Sequence, residues 1–162
     1  MACPVNLVKI KPEWIDHNGH LNVAYFVMAF DYATEAAFEE WGIGFEYKEQ
    51  SGCSVYILGM NVDYIQEVHV DEEVAITTQM LDCDHKRVHY FHTMQHAGSG
   101  EVVATNECLA MNISMEEKRS VSFPEGVQQS LAAVLAQHAG MKRPDKAGRQ
   151  LGIGKKTALG AR

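Results

Sequence analysis

Residues 23–41 read VAYFVMAFDYATEAAFEEW, and this stretch decides the fold. Val23, Phe26, Val27, Phe30, Ala33, Ala37, Phe38 and Trp41 recur at i, i+3, i+4 spacing, with Asp31, Glu35, Glu39 and Glu40 supplying polar positions around the stripe. The pattern predicts a helix about 28 Å long at 1.5 Å per residue, ended by Gly42 and Gly44. So wide an apolar face needs a surface to cover it. Downstream the period changes to two: Tyr56, Leu58, Met60, Val62 and Tyr64 alternate, as do Val74, Ile76, Thr78 and Met80. Arg87 to Gln95, a turn at Ala97–Gly100, and Val102 to Ile113 continue the series. Upstream, Val5 to Lys11 is β-prone and is ended by Pro12; beyond Pro124, Val127, Leu131, Val134, Leu135 and His138 mark a short helix. The expected class is therefore α+β: a long central helix wrapped by a curved, mainly antiparallel five-stranded sheet, plus a short C-terminal helix. A sheet of this size leaves surface that a second subunit can cover, so a homo-oligomer is expected.

Composition narrows the function classes. The chain has 162 residues, 46% of them apolar, enough to build one core. It contains no run long and apolar enough to cross a membrane, and Met-Ala-Cys-Pro does not open a secretory signal. Cys3, Cys53, Cys83 and Cys108 are widely spaced, which reads as reduced thiols in a cytoplasmic protein. The net charge is −7, but residues 141–162 hold seven basic residues and one acidic residue. The chain thus divides into an acidic domain, 1–140, and a basic, Gly-rich tail, 141–162. The acidic body excludes general nucleic-acid binding, which needs phosphate-neutralising cations. The tail is read either as a solvated segment or as one docked through Leu151 and Ile153.

The densest chemical signal is Asp16-His17-Asn18-Gly19-His20-Leu21-Asn22, immediately before the long helix. A carboxylate (Asp16), an amide (Asn18) and an imidazole (His20) fall within five residues, beside a helix end with free N–H groups and a partial positive charge. Together they offer a base or nucleophile, a positioning group, a proton carrier and an oxyanion site. The same residues also suit a purely structural role. Asn18 or Asn22 would cap the helix, Gly19 would turn the chain, and Asp16 would satisfy backbone N–H groups.

Trp14 to Phe26, WIDHNGHLNVAYF, resembles the D-x-N-x-H-x-N segment of hotdog-fold thioesterases, in the 4-hydroxybenzoyl-CoA thioesterase-like branch and in plant acyl-ACP thioesterases. Residues 82–92, DCDHKRVHYFH, aligned on Asp84, Lys86, Arg87 and His89, are similar to bacterial acyl-CoA thioesterases related to betainyl-CoA thioesterase domains. The resemblance spans roughly residues 5–115. It implies hydrolysis of an acyl-CoA thioester to free acid and CoA, with no metal or cofactor. It also implies a homodimer or homotetramer with active sites near the subunit interface. Asp16 matches the base or nucleophile, and Asn18 and His20 match the pair that orients water and substrate. Glu67 matches a carboxylate after the next long strand. The carnitine-pathway domains carry Glu-Thr-His in the second strand, where this chain has Gly59-Met60-Asn61. In the mechanism this suggests, the thioester oxygen meets the N–H groups around Leu21, Asn22, Val23 and Ala24. Tyr25, Phe26, Tyr56, Met60 and Tyr64 either line a pocket or fill the core. Lys86 and Arg87 either bind the CoA phosphates or pair with Asp82, Asp84 or another acidic side chain, and the basic tail is the other phosphate candidate.

Three other readings stand beside this one. His85, His89, His92 and His96 have helical metal-ligand spacing, but Val88, Tyr90, Phe91 and Thr93 favour a strand, which splits the four between two faces. A hotdog enoyl-CoA hydratase would place one more residue between Asp16 and the histidine and a proline after the asparagine; here Gly19 and then His20 follow Asn18. The third is a non-catalytic acyl-CoA-binding protein on the same fold.

Overall fold

The computed structural model describes residues 3–153. Its strands are β1 Val5–Lys9, β2 Cys53–Tyr64, β3 Glu73–Cys83, β4 Arg87–His96, β5 Val102–Ser114 and the two-residue β6 Arg119–Ser120. Three α-helices accompany them: α1 Val23–Glu40, α2 Phe45–Ser51 and α3 Glu125–His138. The strands pair antiparallel in the order β1-β3-β4-β5-β2, with β6 on β5. No described helix is long and apolar enough to cross a membrane.

The sheet curls around α1. Phe26, Ala29, Phe30, Ala33, Thr34, Ala37 and Phe38 form the buried face of that helix. Alternation on the strands supplies the other wall: Val74, Ile76, Val88, Tyr90, Met94, Ala104, Cys108 and Ala110 are all sealed from solvent. The alanines at 29, 33 and 37 let the helix axis approach the sheet, while Phe26, Phe30 and Phe38 fill the gaps between strands. Each fully buried phenylalanine contributes about 1.5–3 kcal/mol.

α2 and β6 are the two elements that periodicity does not announce. α2 has seven residues, too few to display an apolar stripe. Gly44 starts it where space is short: a Cβ there would run into the Glu39 carboxylate, whose Oε1 accepts the Phe45 N–H at 2.6 Å. β1 ends two residues earlier than its apolar pattern suggested. Next to it, α3 finishes the edge of β3. The Thr78 N–H still donates to Pro4, and beyond it His138 Nδ1 accepts the Met80 N–H at 2.9 Å.

β2 is the free edge of the sheet on the other side. It is twelve residues long, bulged at Leu58, and exposes Tyr56, Leu58, Met60 and Tyr64. Arg149 holds the chain's later part against this strand. Its guanidinium reaches both Asp63 carboxylate oxygens (3.0 and 2.8 Å) and Asn61 Oδ1 (3.0 Å), and its carbonyl accepts from Asn61 Nδ2 at 2.8 Å. Leu151 and Ile153 are fully exposed, so they do not anchor the segment as the sequence suggested; the grip is ionic and belongs to Arg149. Lys155, Lys156 and Arg162 lie outside the described residues.

Candidate active site

The loop that ends at α1 is fixed by its own backbone. The Asp16 N–H donates to the His20 carbonyl and the Gly19 N–H to the Asp16 carbonyl, with Gly19 at φ +82°, where a side chain would be strained. Asp16 Oδ1 accepts the N–H groups of Asn18 (2.8 Å) and His20 (3.4 Å). The Asn18 N–H is the main reason that the Asp16 carboxyl titrates below the ordinary aspartate range, so it is ionised at neutral pH. Asn22 caps the helix, its Oδ1 accepting the Ala24 N–H at 2.9 Å. The capping and turn-forming roles are therefore filled, and Asp16 Oδ2 remains available for chemistry.

The four N–H groups expected around the thioester oxygen are mostly occupied. Leu21 donates to the Val68 carbonyl at 2.7 Å and Asn22 to the Trp14 carbonyl at 3.0 Å, while Ala24 is taken by the Asn22 cap. Among the described residues, the Val23 N–H alone of the four has no partner, and Val23 itself is exposed. Leu21 is buried and Tyr25 stacks on Trp14 at 5.7 Å, so both help to build the wall of the site. Phe26 packs edge-on to Tyr64, whose hydroxyl donates to the Val23 carbonyl at 3.4 Å. Tyr56 pairs with Met111 towards the other end of the sheet, so these aromatics do not form one cage within a chain.

The Leu21–Val68 backbone bond has a second effect: it sets the segment after β2 against the Asp16 loop. Glu67 Oε2 lies 3.0 Å from His20 Nε2, and the His69 ring meets the His20 ring edge-on at 5.2 Å. Asp16, His20 and Glu67 thus share one corner, while Asn18 is exposed beside them. His69 was not singled out from the sequence. The signal available was Glu67-Val68-His69, an alternation that puts the first and third side chains on the same side of an extended segment.

Lys86 and Arg87 lie elsewhere. They precede and begin β4, whose far end, near His96, is the one close to the Asp16 loop. Arg87 is paired with Asp84 at 2.5 and 2.7 Å, and Lys86 Nζ donates to Ser120 Oγ at 3.3 Å. Burial pushes the Asp84 carboxyl up, but the Arg87 guanidinium and two backbone N–H groups outweigh it and hold it at about 2. Within one chain these cations do not meet Asp16. A cleft of about 910 Å³ opens at the same end of the sheet, between the second half of α1 (Asp31, Thr34, Glu35, Phe38) and Ser54–Ile57 of β2, and neither Lys86 nor Arg87 lines it. It is likewise remote from the Asp16 loop.

The histidines of β4 divide between the faces. His92 is sealed in the core between Thr34 and Thr78, at 2.9 Å from each hydroxyl, and stacks on Phe30. His89 points outward to Glu107 Oε1 at 2.7 Å, and the other oxygen of Glu107 accepts the Gly148 N–H at 2.7 Å.

Comparison with known proteins agrees with this architecture. The family model of the thioesterase-like superfamily matches residues 10–131. A betainyl-CoA thioesterase of Pseudomonas aeruginosa is 32% identical over 89% of this chain and 91% of its own. An L-carnitine dehydrogenase/betainyl-CoA thioesterase of Rhizobium meliloti is 31% identical over 92% of this chain, which spans only 30% of that longer protein. A Staphylococcus aureus protein solved in complex with CoA superposes with a TM-score of 0.86 at 24% identity, covering 95% of this chain and 98% of that one. The chain belongs to the thioesterase-like superfamily and is a hotdog-fold thioester hydrolase.

Proposed function

We propose that this protein hydrolyses acyl-CoA thioesters, with Asp16 as the general base. The observation that carries the reading is an ionised carboxylate in the same loop as an unpartnered helix-end N–H, that of Val23. Water adds to the thioester carbonyl and its proton passes to Asp16. The carbonyl oxygen, now negative, accepts from the Val23 N–H. The C–S bond then breaks and CoA leaves as a thiolate, which needs little acid assistance. Glu67 holds His20 in place, and His20 with Asn18 orients the water. Leu21, Asn22 and Tyr25 shape the wall rather than donate to the oxyanion.

The reading includes a homodimer built on β2. That edge presents an unpaired backbone and four exposed apolar side chains, which favours a second copy along it. A two-fold axis there would run the two β2 strands antiparallel. The Cys53 end of one copy, with its cleft, Lys86 and Arg87, would then lie beside the Asp16 loop of the other. Cleft, phosphate-binding cations and base would become one site. The CoA-bound Staphylococcus aureus neighbour supports the ligand class. Four free cysteines fit the cytoplasm.

The test is thiol release from short, medium, aromatic and betainyl acyl-CoAs, with a no-substrate control for the protein's own thiols. Turnover should fall about 10²–10⁴-fold in Asp16→Ala. Undiminished turnover in that variant would overturn the assignment. Sedimentation should give two or four chains per particle, and a monomer active at all concentrations would overturn the shared site.

A further inference from the structure

We propose that His20, Glu67 and His69 form a three-ligand site for a first-row divalent cation, Zn²⁺ foremost, and that its occupancy switches the hydrolase off. Among the described residues, one donor atom from each of the three lies within 4.8 Å of the others. Two imidazoles and a carboxylate are a known zinc donor set that leaves a fourth position for water. With metal–ligand bonds of about 2.0–2.1 Å, tetrahedral donors sit about 3.3 Å apart. The His20 Nε2–Glu67 Oε2 distance of 3.0 Å is already close to that.

The cluster rests on fixed backbone. The Leu21 N–H to Val68 carbonyl bond places residue 20 beside residue 69, and Val68 is wholly buried, pinning the segment that carries Glu67 and His69. Outside the donors, Glu72 steadies His69: its Oε2 accepts the His69 N–H at 2.7 Å and lies 3.7 Å from the ring Nδ1. Such outer carboxylates are usual around metal-bound histidine. All three donors are solvent-accessible, so an ion can enter, and residues 1–140 are strongly acidic, which raises the local cation concentration.

The inhibitory half rests on the hydrolase reading. A bound ion takes the lone pair of His20, which orients the attacking water, and the carboxylate of Glu67, which holds His20 in place. The water it holds is placed by the metal and not by Asp16.

The binding half is read without substrate. Chelator-stripped full-length protein is titrated with Co²⁺, and the visible d–d absorption of a low-coordinate site is followed. One Co²⁺ per chain, displaced by Zn²⁺, is expected, with affinity at least 10-fold weaker in His69→Ala and in Glu67→Gln. Absence of the band, or a band unchanged in His69→Ala, as binding to the cysteines would give, overturns the site. In the activity arm each protein is referred to its own metal-free rate, and His69→Ala should need at least 10-fold more Zn²⁺ than the wild type for half-inhibition. Zn²⁺ that binds through His69 and leaves thiol release unaltered, or raises it, overturns the switch. If no acyl-CoA is hydrolysed at all, the Co²⁺ arm still decides the site, so failure of the hydrolase reading is seen separately.

Discussion

Acidification should expose how much stability the neutral His92 supplies. The side chain is sealed in the core, and burial holds its pKa down at about 3. The tautomer follows from its neighbours. Thr34 Oγ1 donates to the Phe30 carbonyl at 3.1 Å and therefore accepts from His92 Nε2, leaving Nδ1 to accept from Thr78. In the unfolded chain the ring titrates near the ordinary value of 6.5. Below pH 6.5 the unfolded state binds a proton that the folded state refuses, so stability is complete above 6.5 and is lost as pH falls from there towards 3. The slope is about 1.4 kcal/mol per pH unit, so at pH 4.5 the loss reaches about 2–3 kcal/mol, a large share of the 5–15 kcal/mol typical of a domain. His92→Gln removes the titration but keeps a neutral polar group. Urea unfolding should find this variant less stable than wild type at pH 7.5 by about 1–3 kcal/mol, for an imperfectly replaced hydrogen bond. The gap should close or reverse by pH 4.5. His138, also held below its ordinary value by burial, is present in both proteins and cancels. A gap that stays constant between pH 7.5 and 4.5 would refute the reasoning.

Other outcomes follow from the loop and the edge strand. Asn22→Ala removes the α1 cap and should cost about 1 kcal/mol, seen as a melting point lower by about 2–4 °C; unchanged melting would show that the cap is not used. A carboxyl-carbon NMR titration should place the midpoint of Asp16 below 3.8, because the Asn18 N–H stabilises its charge, and a midpoint above that value would contradict the loop geometry. Arg149→Met leaves Asp63, among the described residues, with Lys146 at 3.7 Å as its remaining cation and should destabilise the fold by about 1–3 kcal/mol in urea. Equal stability would mean that Arg149 does not hold the segment.

The α1 stripe and the alternation of β3 were legible because burial on one face imposes a period on the sequence, and each element is long enough to repeat it; β2 alternates as well, but its Tyr56, Leu58, Met60 and Tyr64 are exposed along the free edge. α2 was not legible: one buried residue, Tyr47, and two flanking glycines carry no period. In the site, local order was readable from Asp16 to Asn22, including the turn at Gly19 and the cap at Asn22. Which N–H groups remain free was not. Leu21 loses its donor to Val68, a residue 47 positions on, and no local pattern encodes that bond. His69 was missed for the same reason. Lys86 and Arg87 stood out as scarce cations in an acidic body, and the Asp84 partner of Arg87, three residues away, was legible too; the Ser120 partner of Lys86 and the distance of both from Asp16 come from strand register.

The ionic clasp of Arg149 also bears on the order in which the protein can complete itself during synthesis. Asn61 and Asp63 leave the ribosome long before Arg149, which is 86 residues behind Asp63. Until then Asp63 and Glu107 have neither the guanidinium nor the Gly148 N–H that they later bind. Edge strand β2, with Tyr56, Leu58 and Met60 exposed, is therefore finished last, although it is made in the first half of the chain. A nascent chain halted before residue 149 holds the whole sheet without its clasp. That is the interval in which a chaperone, or a second unfinished copy, would find the strand most open.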